Sequence, residues 1–169
     1  METDMDMDMD ISYRPMRPGE ETEISGLIVS VFSEFVAPLY TPEGIEEFSR
    51  YIGPDDLRER FLSNHFTLVA TTDERIVGVI EVRDENHICL FFVDGDSQNR
   101  GIGRTLLEQA LAMCRENSPA ISTVSVNSSP NSVAVYERLG FVPTGPEQTK
   151  NGITSVPMTL TLAAPGRRA

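Results

Sequence analysis

The sequence predicts an α/β (α+β) domain on a mixed, mostly antiparallel central sheet of about six to seven strands flanked by helices. Three observations predict it: an opening third with helical apolar spacing, three consecutive β-branched runs separated by polar turns, and one strand–helix–strand passage. With 169 residues, 40% of them apolar, the chain has the size of one ordinary domain and enough apolar surface for a substantial core.

Ile11 to Met16 reads as a first strand, closed by Arg17-Pro18-Gly19. Ile24, Leu27, Ile28, Val31, Phe32 and Phe35 then recur at helical spacing until Pro38. Thr41 and Pro42 supply an N-cap and a first-turn proline for a second helix carrying Ile45, Phe48 and Ile52. Gly53-Pro54 breaks it, and a short helical segment with Leu57 and Phe61 follows before Ser63-Asn64. Phe66 to Thr71, Arg75 to Val82 and His87 to Val93 are strands joined by Thr72-Asp73-Glu74 and Asp84-Glu85-Asn86, hence antiparallel neighbours. A helix from Gly103 to Asn117 buries Leu106, Leu107, Ala110, Leu111 and Cys114 and stops at Ser118-Pro119. Ile121 to Val126 returns as a strand, parallel to His87–Val93 through a right-handed crossover. Ser128-Ser129-Pro130 opens a last helix that Gly140 closes, and Phe141-Val142 and Ile153 to Leu162 complete the sheet. Residues 1–10 form an acidic leader, 11–162 the single domain, and 163–169 a tail expected to fray.

A formal net charge of −12 argues against nucleic acid or a membrane surface as partner, because polyanions are repelled over most of the surface. A cationic amine is not. Met alternates with Asp over residues 1–10, unlike a secretion signal, and no apolar run is long enough for a bilayer. Cys89 lies in an apolar strand and Cys114 on the apolar side of a helix, which suggests two buried thiols in a reducing cytoplasm rather than a disulfide framework.

The segment Phe91-Phe92-Val93-Asp94-Gly95-Asp96-Ser97-Gln98-Asn99-Arg100-Gly101-Ile102-Gly103-Arg104 is an apolar strand, a polar turn and a glycine-opened helix start. Unpaired backbone N–H groups and the positive end of the helix dipole favour a phosphate there, and Arg100 and Arg104 add charge-assisted donors. A dinucleotide loop would carry a third glycine where this chain has Leu106, and the following strand, Ile121 to Asn131, has no carboxylate for a ribose. A nucleoside triphosphate loop is excluded because the sole lysine, Lys150, lies elsewhere.

Gln98-x-x-Gly101-x-Gly103, followed downstream by Val135-Tyr136-Glu137-Arg138-Leu139-Gly140-Phe141, resembles the GNAT superfamily of N-acetyltransferases, and the element order agrees from Ile11 to about Leu162. The resemblance implies acetyl-CoA as cosubstrate and no metal, with the pyrophosphate on the loop from Gln98 through Asn99, Arg100, Gly101, Ile102 and Gly103 to Arg104. It implies that Phe91, Phe92 and Val93 offer backbone groups to the pantetheine arm as to an added strand, and that one of their N–H groups stabilises the oxyanion. The family often has Asn where this chain has Ser129; Asn127 and Asn131 flank it and are the alternatives, unless the group simply caps a helix.

The resemblance makes Tyr136 the acid that protonates the leaving thiolate, against the plainer reading of a core tyrosine. For a general base it points to the position of His87; Glu81 on the neighbouring strand is the rival. The plainer readings are a turn-edge histidine and, from strand alternation, an outward-facing glutamate. Val124 stands where some relatives carry a base, so that route is closed. The early helices and the Pro143–Thr154 loop are expected to form the acceptor pocket, with Glu34, Phe35, Tyr40 and Phe48 as candidates. The implied function is direct transfer of acetyl to a primary amine, on a small molecule or a protein, in a ternary complex, by a cytoplasmic enzyme that resembles a family in which homodimers are common. The competing class is a non-catalytic acyl-CoA-binding sensor or regulatory domain. The sequence leaves the acceptor open.

Overall fold

The computed structural model describes residues 10–63, 65–97 and 100–162. The acidic leader up to residue 9, the tail from residue 163, and Asn64, Gln98 and Asn99 lie outside the described residues.

Among the described residues, five α-helices and seven of eight strands follow the expected order. β1 (Ser12–Pro15) leads to α1 (Glu21–Phe35), α2 (Pro42–Tyr51) and α3 (Pro54–Phe61). β2 (His65–Thr72), β3 (Arg75–Arg83) and β4 (His87–Val93) form the antiparallel meander. α4 (Ile102–Asn117), β5 (Thr123–Ser128), α5 (Val133–Arg138), β6 (Val142–Pro143), β7 (Gln148–Lys150) and β8 (Ile153–Thr161) complete the fold. The sheet runs β1-β2-β3-β4-β5-β8-β6, with β7 paired to β8. β4 and β5 are the parallel pair, as the crossover through α4 requires.

Local chemistry explains the boundaries. Thr41 caps α2, its Oγ1 accepting from the Gly44 N–H at 3.1 Å, and Pro42 occupies the first helical position. The turns at Asp73-Glu74 and Asp84-Glu85 place both central residues at positive φ, the geometry whose twist suits a tight antiparallel hairpin. The helix onset is Ile102, one residue earlier than the expected Gly103, because Gly101 takes a left-handed conformation (φ 81°) as its N-cap.

Both faces of the sheet are covered, which separates two cores. α4 and α5 bury Leu106, Leu107, Ala110 and Tyr136 against Ile80, Val82, Ile88 and Val126. α1–α3 bury Ile24, Ile28, Ile52 and Leu57 against Val69, Val79 and Leu90. Gly78 on β3 lets α4 sit close: a Cβ there would lie 3.0 Å from Leu106 Cδ1. Because β3 is sandwiched, every residue from Ile76 to Val82 is buried, and the alternation that placed Glu81 outward does not apply. Glu81 is 2% exposed, a correction to the sequence reading.

β7 was not expected. Its turn is Asn151-Gly152, both at positive φ, and Gly152 lies against Gly44 at the start of α2. A Cβ on either glycine would collide with the other glycine's backbone or with Thr41 Oγ1. The late hairpin and the early helix are therefore in contact through the smallest residue.

Candidate active site

The site begins with an irregularity in β4. Glu81 pairs with Leu90 and Val82 with Ile88, so Cys89 is an extra residue, a β-bulge. Cys89 and Leu90 consequently face the same side, with α1–α3, while Ile88 and Phe91 face α4 and α5. The parallel ladder to β5 holds only His87↔Ser125 and Ile88↔Val126, and ends where the bulge begins. Beyond it the two strands separate, and a cavity of about 470 Å³ occupies the gap. That volume suits a ligand-sized molecule.

One end of the cavity is built for an anion. Ile102, Gly103 and Arg104 border it at the first turn of α4, where no side chain caps the backbone N–H groups. Gly103 faces β4: a Cβ there would lie 3.7 Å from the Phe91 ring. Arg104 and Arg138 are the only formally charged side chains bordering the cavity among the described residues, in a protein of net charge −12. Arg100 and Gly101 stand in the same loop without bordering the cavity.

The middle is framed by Phe91, Phe92 and Val93 on one wall and by Asn127, Ser129, Asn131 and Tyr136 on the other. Tyr136 is 8% exposed and sits between Phe91, centroids 6.1 Å apart, and Phe141 at 5.3 Å. Burial pushes its phenol well above the usual range, so it is protonated at every physiological pH. Ser129 Oγ donates to Ser132 Oγ at 3.1 Å, and Asn131 Nδ2 donates to the Phe35 carbonyl at 2.9 Å. The second bond ties the end of α1 to the turn ahead of α5. Arg138 and Phe32 border the cavity too and were not singled out from sequence as ligand contacts; Phe32 was visible only as part of a helical stripe.

The other end is aromatic. Phe32, Tyr40, Phe48 and Phe92 border it, and Phe35 borders the cavity beside Gly95, where a Cβ would lie 3.7 Å from its ring. Phe32 stacks on Phe48 at 4.4 Å, Tyr40 meets Phe32 edge-on at 5.1 Å, and Phe92 lies 6.1 Å from Phe48. Glu34 is exposed, lies beside Gly95 and does not border the cavity. The 143–154 segment does not border it either; its contribution is indirect, through the Gly152 contact with α2.

Both candidate bases stand outside the cavity lining. Glu81 accepts from Arg60 Nε at 2.8 Å and Nη2 at 3.2 Å, and its Oε2 lies 2.7 Å from His65 Nδ1. His87 Nδ1 lies 2.8 Å from Ser125 Oγ, and burial together with the nearby Arg83 charge lowers its pKa. Cys89 borders the cavity half-buried, whereas Cys114 is fully buried; desolvation pushes both thiols up to about 11. His65, Glu81 and Cys89 hold ligand-type atoms within 4.8 Å of one another, but Arg60 already engages both Glu81 oxygens, and a cation would have to displace it.

Comparison with known proteins agrees with this arrangement. The model of the acetyltransferase (GNAT) domain matches residues 36–162. The chain is 35% identical over 71 residues to the uncharacterized protein YxbD of Bacillus subtilis (41% of this chain, 45% of that one). It is 32% identical over 92 residues to the peptidyl-lysine N-acetyltransferase YjaB of Salmonella typhimurium (54% and 60%). These matches thus span about half the length of the two relatives. The crystal structure of the PaiA N-acetyltransferase of Thermoplasma acidophilum, in complex with coenzyme A, superposes with a TM-score of 0.75 at 18% identity, covering 91% of this chain and 100% of that one. No helix among the described residues is long and apolar enough to cross a membrane. A bulge that parts β4 from β5, a glycine-opened helix aimed into the gap and a domain-model match over most of the chain converge: this protein is a member of the GNAT acetyltransferase family.

Proposed function

We propose that the protein is an N-acetyltransferase that binds acetyl-CoA in the cleft between β4 and β5 and passes the acetyl group directly to a primary amine in a ternary complex. The observation that carries this reading is the cleft itself, with phosphate donors at one end, a strand edge without a β5 partner along the middle and a buried, protonated phenol facing that strand. The pyrophosphate would take the first-turn N–H groups of α4 with Arg104, and the pantetheine arm the β4 edge from Cys89 onward. The relative solved with coenzyme A supports the choice of ligand.

In the transfer the amine nitrogen attacks the thioester carbonyl and the C–N bond forms. A β4 backbone N–H, preorganised by the sheet, meets the oxyanion. The C–S bond then breaks, and Tyr136 gives its proton to the departing sulfur and regains one from the nitrogen, so that one proton passes from nitrogen to sulfur overall. No carboxylate among the described residues borders the cavity, and we route no proton through Glu81 or His87. The amine enters neutral instead, a form that the apolar, desolvating pocket favours. Cys89, held protonated, carries no acyl intermediate.

The test is release of free CoA thiol from acetyl-CoA in the presence of an amine panel. Tyr136→Phe should lower turnover about 100-fold while acetyl-CoA affinity stays within about threefold. Unchanged turnover at saturation removes Tyr136 from the acid role. Tight acetyl-CoA binding with no thiol release for any amine would favour a sensor over an enzyme.

A further inference from the structure

The aromatic end of the cavity specifies more than its position. Three groups of observations bear on what amine enters it. First, four side chains border it, Phe32, Tyr40, Phe48 and Phe92, packed into one cluster by ring contacts of 4.4 to 6.4 Å. Tyr40 is the only one with a polar tip, and burial raises its phenol pKa, so it stays a neutral hydrogen-bonding group. Second, the cavity has no acidic lining residue among the described ones, and Glu34, the nearest sequence candidate, lies outside against Gly95. Third, the N-terminus of α2 and the β7–β8 turn are in backbone contact, with Thr41 Oγ1 3.4 Å from the Gly152 carbonyl oxygen. That contact seats the late hairpin on the helix that carries Phe48.

The absence of acidic lining residues disfavours one class of acceptor. A polyamine or an aminoglycoside would bring several ammonium groups to a surface that pairs none of them, and a desolvated, unpaired charge is costly. A flat apolar body with a single amine is accepted: rings stack on rings, and the lone nitrogen reaches the thioester uncharged. Accepting the acetyl transfer proposed above, we infer that the acceptor is a small monoamine on an aromatic or extended apolar skeleton, of the arylalkylamine class, and that Phe48 and Phe92 select it.

The chain contains no tryptophan, so an indole ligand can be followed without background. Tryptamine titrated into the protein saturated with coenzyme A should show saturable binding by its fluorescence anisotropy, weakened about tenfold or more by Phe48→Leu, with coenzyme A affinity unchanged. In turnover, phenylethylamine should exceed spermidine, kanamycin and a lysine-containing peptide in kcat/KM by about tenfold or more. Phe35 borders the cavity at 39% exposure, and Phe35→Glu, which adds a carboxylate to that lining, should shift the preference toward spermidine. A preference of the unmodified protein for spermidine, kanamycin or the peptide overturns the inference and leaves the acetyl transfer standing. Saturable tryptamine binding without thiol release from any amine upholds the pocket's chemistry and overturns the transfer. Absence of tryptamine binding, with coenzyme A bound, overturns the inference outright.

Discussion

Glu81→Gln separates a buried ion pair from a catalytic base. The carboxylate is 2% exposed and its two oxygens receive Arg60, while Arg60 also donates to the Tyr51 carbonyl at 2.8 Å and lies 3.8 Å over the Tyr51 ring. Removing one member of such a pair leaves a charge without its counter-ion, a loss of about 3–5 kcal/mol when both are dry. Two features reduce it: the Arg60 side chain keeps 14% exposure, and the glutamine oxygen still accepts one hydrogen bond. We expect a loss of about 2–4 kcal/mol, equivalent to about 5–15 °C in Tm for a domain of this length. Urea and thermal unfolding measure this, with turnover recorded well below the transition. The paired change Arg60→Met/Glu81→Met should recover most of the loss, since no orphaned charge remains. A stability change below about 0.5 kcal/mol with a turnover loss above about tenfold would refute the structural account and return Glu81 to the chemistry.

Three further expectations follow from the geometry. Gly44→Ala forces a methyl into the Gly152 carbonyl, so α2 must shift; about 1–3 kcal/mol of stability is lost, and the amine KM rises more than the acetyl-CoA KM, as steady-state kinetics would read. Cys89→Ala should retain turnover, and iodoacetamide should react slowly at pH 8, where a thiol of pKa about 11 is about one part in a thousand ionised; acetylated Cys89 in a quenched turnover would contradict direct transfer. His87 has its folded pKa below the unfolded value of about 6.5, so its contribution is complete above that value and is lost as pH falls through it. Tm against pH should therefore drop below about pH 6.5 less steeply in His87→Asn than in the parent, and parallel curves would remove His87 as a cause.

What could be read from the residues alone was whatever is local. The meander β2–β4 is written in β-branched runs with two tight turns, and the glycine-opened start of α4 is contiguous in sequence. Glu81 could not be placed that way, because its partners Arg60 and His65 come from α3 and β2 and only the sandwiching of β3 buries it. Nor is the bulge at Cys89 visible in an apolar run, since both of its faces are buried. The β7–β8 hairpin is a different case. Asn151-Gly152 is a strong hairpin signal, but Gln148-Thr149-Lys150 is exposed and polar on both faces, without the alternation that marks a strand. Of the four residues that the sequence offered for an acceptor pocket, Phe35, Tyr40 and Phe48 border the cavity and Glu34 does not.

The contact between Gly44 and Gly152 also orders events during synthesis. β2, β3, β4 and α4 follow one another in sequence. α2 is made early, yet the turn that holds it in place is translated more than a hundred residues later, and β8 must slip between β5 and β6 before the sheet is whole. At the roughly 5–20 residues per second of synthesis, α2 waits about 5 to 20 seconds for the turn it packs against. Because a domain folds as a unit, the first helices take their final seat only once the last hairpin has left the ribosome.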